Sequence, residues 1–135
     1  MSRHFEEVQE GDELPVRETF LSKDQVRAYA RAAHQWSPRF TDDEGARAEG
    51  LPGMITPGNM SMGLLTAAIE AWAGVGVLRR LGTTFRGLVL PGRTIRLCGT
   101  VTEKTAADRT VELDVWLETG EGDRLVLGTA TVALG

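Results

Sequence analysis

Between Asn59 and Trp72 the chain carries Met60, Met62, Leu64, Leu65, Ala67, Ala68, Ile69, Ala71 and Trp72. A helix over this run is apolar on nearly every face, with Glu70 its one charge. Such a helix has to be covered on most sides. The residues after Val77 supply the cover, because their apolar period changes to two. Leu81, Thr83 and Phe85 alternate, as do Ile95, Leu97, Gly99 and Val101, then Val111, Leu113, Val115 and Leu117, before a β-rich stretch from Leu125 to Leu134. Pro91-Gly92, Ala107-Asp108 and Gly120-Glu121-Gly122-Asp123 separate them as turns. The expected fold class is therefore α+β, a curved antiparallel sheet wrapped around one long central helix. Edge strands and part of the helix stay uncovered in such a unit, so a two-fold partner is expected.

Upstream, Gly11-Asp12 and Leu14-Pro15 predict an opening turn and Val16 to Leu21 a short strand. Ser22-Lys23-Asp24-Gln25 reads as a capping box. Val26, Tyr29, Ala30 and Ala33 follow at helical spacing until Pro38 stops the helix, and Asp42 to Ala48 can add one or two turns before Gly50. With 135 residues, 41% hydrophobic and 25% charged, and neither repeat nor linker, the reading is one globular domain over 1–135. A formal net charge of −4 argues against nucleic acid or an anionic membrane as partner, since either calls for a basic face. Arg79, Arg80, Arg86, Arg93 and Arg96 are the local exceptions. Cys98, the single cysteine, permits no internal disulfide, and Met1 to Glu7 lacks the apolar core of a signal peptide, so a cytoplasmic location is expected. The longest apolar run, Met60 to Leu78, holds Glu70 and two glycines near its end, which favours a core helix over a membrane span.

The chemistry concentrates where a polar loop, Gln35 to Asp42, and then Gly53-Met54-Ile55-Thr56-Pro57-Gly58 lead into the apolar helix. Backbone delivered in this way aims unpaired N–H groups and the positive end of the helix dipole at one spot, which suits an anion or a developing oxyanion.

These residues resemble the MaoC-like family of hotdog (R)-specific enoyl-thioester hydratases and dehydratases. The resemblance includes Phe5 to Asp12, the Ser22-to-Ala33 helix, Pro38 followed by Asp42 and Ala46, Gly50-Leu51-Pro52-Gly53, the Gly58-led helix, Trp72-Ala73-Gly74, and Phe85-Arg86-Gly87 through Pro91-Gly92. The family's active loop, roughly Tyr-Ala-x-x-Ser-Gly-Asp-x-Asn-Pro-x-His-x-Asp, laid on Tyr29 to Asp42 keeps Tyr29, Ala30, Pro38 and Asp42. Its catalytic Asp falls on Gln35, its Asn on Ser37 and its catalytic His on Phe40. In the later His-Gly-Met loop the His falls on Pro57 and the Met on Asn59, while Gly58, an oxyanion N–H donor in the family, is kept. The resemblance implies a hotdog fold, no cofactor, an acyl thioester of coenzyme A or an acyl carrier as substrate, and pairing with itself or with another hotdog subunit.

Syn addition of water to an enoyl thioester needs a group that takes a proton from water, one that returns a proton to Cα, and donors for the enolate oxygen. The Gln35 amide does not titrate and Phe40 has no exchangeable proton. His34, Asp42 and Glu70 are the candidate substitutes, each with a structural alternative: a helix-end imidazole, a helix cap, and an ion pair or dimer contact. Gly58, Ser37, Pro57, Asn59, Ser61 and Arg86 are the candidate substrate-binding residues, and Arg79, Arg80 and Arg86 could meet phosphates at a mouth. Cys98 is expected to pack as a small apolar group. Three readings stay open: a hydratase or dehydratase with a rearranged catalytic set, a non-catalytic subunit partnering a chain that bears the Asp/His pair, and a thioesterase using Glu70 or Asp42.

Overall fold

A computed structural model of the chain describes residues 2–135. Strand β1 (Arg17–Leu21) precedes helices α1 (Lys23–Ala32), α2 (Asp43–Ala48) and α3 (Gly58–Ala73), and strands β2 (Leu78–Phe85), β3 (Arg93–Thr105), β4 (Thr110–Thr119) and β5 (Arg124–Ala133) follow. They form one antiparallel sheet in the order β1-β3-β4-β5-β2. The expected hotdog arrangement is present. Register shifts between Val101 and Glu103 and between Leu117 and Glu118 mark bulges, which bend and twist a sheet as wrapping a helix requires.

Alternation along the strands decides what the sheet presents to α3. Val111, Leu113, Val115 and Leu117 of β4 are each at most 2% exposed, and pair with Val126, Ala130 and Val132 of β5 and Leu97 and Val101 of β3. Leu65, Ile69 and Ala73 fill the concave side, one buried stripe at a spacing of four. The opposite face of α3, Asn59, Gly63, Ala67 and Ala71, is exposed. The expectation of a helix enclosed on nearly all sides therefore holds for one stripe and its half-buried flanks only. After Asn59 the open side is apolar only through the very small side chains of Gly63, Ala67 and Ala71.

Local signals place the helix ends. Ser22 Oγ accepts from Gln25 N at 3.0 Å and Gln25 Oε1 accepts from Ser22 N at 2.9 Å, so the capping box is bonded in both directions. At the end of α3, Arg3 donates from its backbone N–H to Ala73 O and from Nε to Trp72 O, both at 2.9 Å. Gly74 there has φ +118, and a Cβ would stand 2.7 Å from the Ser2 Cα, so only glycine fits. No helix among the described residues is long and apolar enough to cross a membrane.

Candidate functional site

The polar loop is shaped by the way α1 stops. Gln35 N donates to Ala30 O at 2.8 Å and His34 N to Arg31 O at 3.2 Å, a paired closure that places His34 in the left-handed region at φ 56. The helix has thus ended before His34, which does not project from it as a continued helix would require. His34 is exposed, with its ring edge-on to that of Trp36. The chain then turns inward. The Gln35 Oε1 is buried without a hydrogen-bond partner, and Ser37 O accepts from Phe40 N at 3.0 Å to close a 3-10 turn over Pro38–Phe40.

Asp42 caps α2, its Oδ2 accepting from Gly45 N at 2.9 Å, as the helix-cap reading expects. Asp43 carries the connection onward. Its carboxylate accepts from Lys23 Nζ at 2.7 Å and from Met54 N at 2.9 Å, and these bonds, the lysine's foremost, hold its pKa below the ordinary carboxylate value. Ile55 N donates to Arg39 O and Thr56 N to Val89 O, so the loop into α3 is pinned from both sides.

At the start of α3 a cavity of about 220 Å³ opens between this loop and the end of β2. Phe40, Ile55, Phe85, Leu88 and Val89 make its apolar wall, and Thr56, Gly58 and Ser61 supply its polar atoms. Pro57, at the N-cap, offers no side-chain cap, and its carbonyl accepts from Met60 N and Ser61 N. The N–H groups of Gly58 and Asn59 have no acceptor among the described residues. No lining side chain is an acid or a base. A larger cavity, about 490 Å³, is an open groove on the outer sheet face among Thr84, Asp114, Trp116, Arg124 and Thr129. It lies away from the helix start and shares no residue with the loop.

The family described as "MaoC like domain" matches residues 4–121. The chain belongs to the MaoC-like family. A solved MaoC-like dehydratase is 29% identical, with TM-score 0.93 over 99% of this chain, which spans 43% of that protein's length. The (R)-hydratase from A. caviae involved in PHA biosynthesis is 19% identical with TM-score 0.87, covering 95% of this chain and 98% of that one. The ChsH1-ChsH2 complex from Mycobacterium tuberculosis gives 18% identity and TM-score 0.85, with 94% and 98% covered. At such identities the last two show a shared fold. Comparison with curated proteins gave no match.

Measured against the MaoC-like loop, the structure brings Phe40, Gly58 and Ser61 to one cavity. Gln35, Ser37 and Pro57 flank it in the chain without lining it, and Asn59 and Arg86 are exposed beside it. Glu70 is separated from it, twelve residues along α3 from Gly58, or about 18 Å at the rise of a helix. It has no ion-pair partner among the described residues and does not line the cavity at the helix start. Arg80 is tied to Thr129 Oγ1 at 3.1 Å and faces Glu112 on the outer sheet, and Arg79 donates to Gly76 O, so of the three arginines only Arg86 stays near the cavity. Thr56 and Phe85 are lining residues that the sequence did not single out. The signal for Thr56 is its place between Ile55 and Pro57, where a hydroxyl interrupts an otherwise apolar approach to the helix.

Proposed function

We propose that this MaoC-like chain is an acyl-thioester-binding hotdog subunit of the hydratase/dehydratase type, whose proton transfers are completed by a second hotdog subunit. The observation that carries this reading is the cavity at the Gly58 end of α3, which has N–H donors, hydroxyls and apolar walls but no titratable side chain. Oxyanion donors without an acid or base can hold a thioester carbonyl and polarise it. They cannot move the two protons of hydration. The handle is coenzyme A or an acyl carrier, with Arg86 at the mouth meeting its phosphates.

Pairing has its own support. β2 is an unpaired edge, α3 exposes small residues that let another helix approach closely, and the relatives of matching fold include a two-component complex. A related chain bearing the Asp/His pair is favoured as partner over a second copy, because a homodimer would repeat the same non-titrating site.

Light scattering of the purified protein, alone and mixed with a hotdog protein that carries the Asp/His pair, tests the reading together with an enoyl-thioester hydration assay. The expected outcome is a two-subunit particle with hydration that depends on the partner. A stable monomer indifferent to any hotdog partner would overturn it.

A further inference from the structure

Two buried hydroxyls in the cavity bond no other group of the protein. Thr56 is 6% exposed and Ser61 1% exposed, both line the cavity, and neither Oγ1 nor Oγ has a hydrogen-bond partner. Such orphans are uncommon in folded chains, because a lost hydrogen bond is not replaced by water. A helical hydroxyl usually satisfies itself on the carbonyl four residues back. Thr66 does so in this same helix, donating to Met62 O at 2.9 Å. For Ser61 the equivalent carbonyl is that of Pro57, which already accepts from Met60 N at 3.1 Å and Ser61 N at 3.2 Å. Its hydroxyl is left without a protein acceptor, in the lining of the cavity.

The acceptor this arrangement fits is a neutral carbonyl oxygen. Two hydroxyls and the N–H group of Gly58 can donate, and the wall around them, Phe40, Ile55, Phe85, Leu88 and Val89, holds no charge to compensate an ion. At about 220 Å³ the space is below the ~300–1,000 Å³ of pockets that enclose drug-sized ligands, so the attached chain is short.

We infer that Thr56 and Ser61 form a hydroxyl subsite that holds the carbonyl oxygen of a short-chain acyl thioester. The inference rests on the thioester-binding reading above and adds the subsite and the chain length. Thr56 and Ser61 act here as binding groups and take part in no proton transfer.

Calorimetry with the full chain tests it, using butyryl-coenzyme A, dodecanoyl-coenzyme A and coenzyme A alone. Butyryl-coenzyme A should bind, and dodecanoyl-coenzyme A should bind at least about tenfold more weakly. Thr56→Val and Ser61→Ala should each weaken butyryl-coenzyme A roughly 3- to 10-fold while leaving coenzyme A alone unaffected. Butyryl binding that is unchanged in the double variant, or a preference for the dodecanoyl chain, would overturn the subsite while leaving thioester binding intact. Absence of binding by either thioester would overturn both readings. Thermal unfolding without ligand gives a second, independent readout. Because neither hydroxyl bonds another group of the protein, both variants should melt close to the parent's temperature, and a marked fall would show that the hydroxyls hold protein partners and are not free for a ligand.

Discussion

The ring of Phe85, the last residue of β2, stands against the backbone of Gly58, the first residue of α3, so closely that a Cβ at position 58 would lie 3.0 Å from Cζ and 3.3 Å from Cε1. The edge strand thereby closes one side of the cavity at the helix start. Phe85 is 50% exposed, so its ring has room to swing outward if pushed.

Gly58→Ala should consequently cost little in stability and much in cavity shape. Alanine relieves the backbone entropy of glycine by about 0.4–1 kcal/mol, and the contact with Phe85 offsets that gain. In a Phe85→Ala background the same change should stabilise by the full amount. A double-mutant cycle by urea unfolding measures the difference, and strict additivity would show that the two residues do not press on each other.

His34 sits at φ 56 at the position where the family signature has glycine. A left-handed conformation costs a non-glycine residue roughly 1–2 kcal/mol, so His34→Gly should stabilise by about 1 kcal/mol and leave thioester binding unchanged. Loss of binding or of turnover in this variant, at equal or higher stability, would give His34 the chemical role that its exposed position denies it.

The outer sheet face gives an acid-stability prediction. The Glu118 carboxylate accepts from Trp116 Nε1 at 2.7 Å and from Arg96 Nη2 and Nε at 2.8 and 3.1 Å, and these bonds hold its pKa below the ordinary 4.5. A lowered pKa in the folded chain means that the unfolded chain takes up the proton first as pH falls. The contribution of Glu118 is therefore complete above about pH 4.5 and declines as pH drops through its folded value, and Asp43, held down by Lys23, acts in the same direction. Urea midpoints measured from about pH 7 to pH 3 should fall on the acid side, with a shallower fall for Glu118→Gln. An acid limb identical in that variant would contradict the assignment.

Cys98 should be inert in the native protein. Burial, with the Glu118 carboxylate beside it, pushes its thiol pKa from 9.0 to about 11. Alkylation by iodoacetamide at about pH 8 should be slow until the chain is unfolded, since only the thiolate reacts. Rapid native-state labelling would show that the thiol is open and ionised.

Periodicity made the sheet and its central helix legible, because Val111 to Leu117 and Ile95 to Val101 alternate over strands long enough to leave no competing reading. The capping box at Ser22 is an equally local signal, whereas α1 ends at Ala32 through the left-handed turn at His34 and not at Pro38, where the sequence places the stop. What could not be read was side-chain placement across the chain. Thr56 and Phe85 are 29 positions apart and meet only because β2 crosses the front of α3. Glu70 drew suspicion as a lone charge in an apolar run, yet its remove from Gly58 follows from helical rise alone. The exposed stripe Asn59, Gly63, Ala67 and Ala71 is not legible from apolar character alone, because glycine and alanine count as apolar yet have little side chain to bury.

Hydration of crotonyl-coenzyme A by the purified protein, followed beside its Gln35→Asp plus Phe40→His double variant, is the most direct measurement of whether the site binds without moving protons. The parent should turn over at least about 10²-fold more slowly than a hydratase bearing both groups, and the double variant should gain rate on an otherwise unaltered cavity. A parent rate equal to that of such a hydratase would contradict the assignment of this chain as a thioester-binding subunit that lacks its own acid and base.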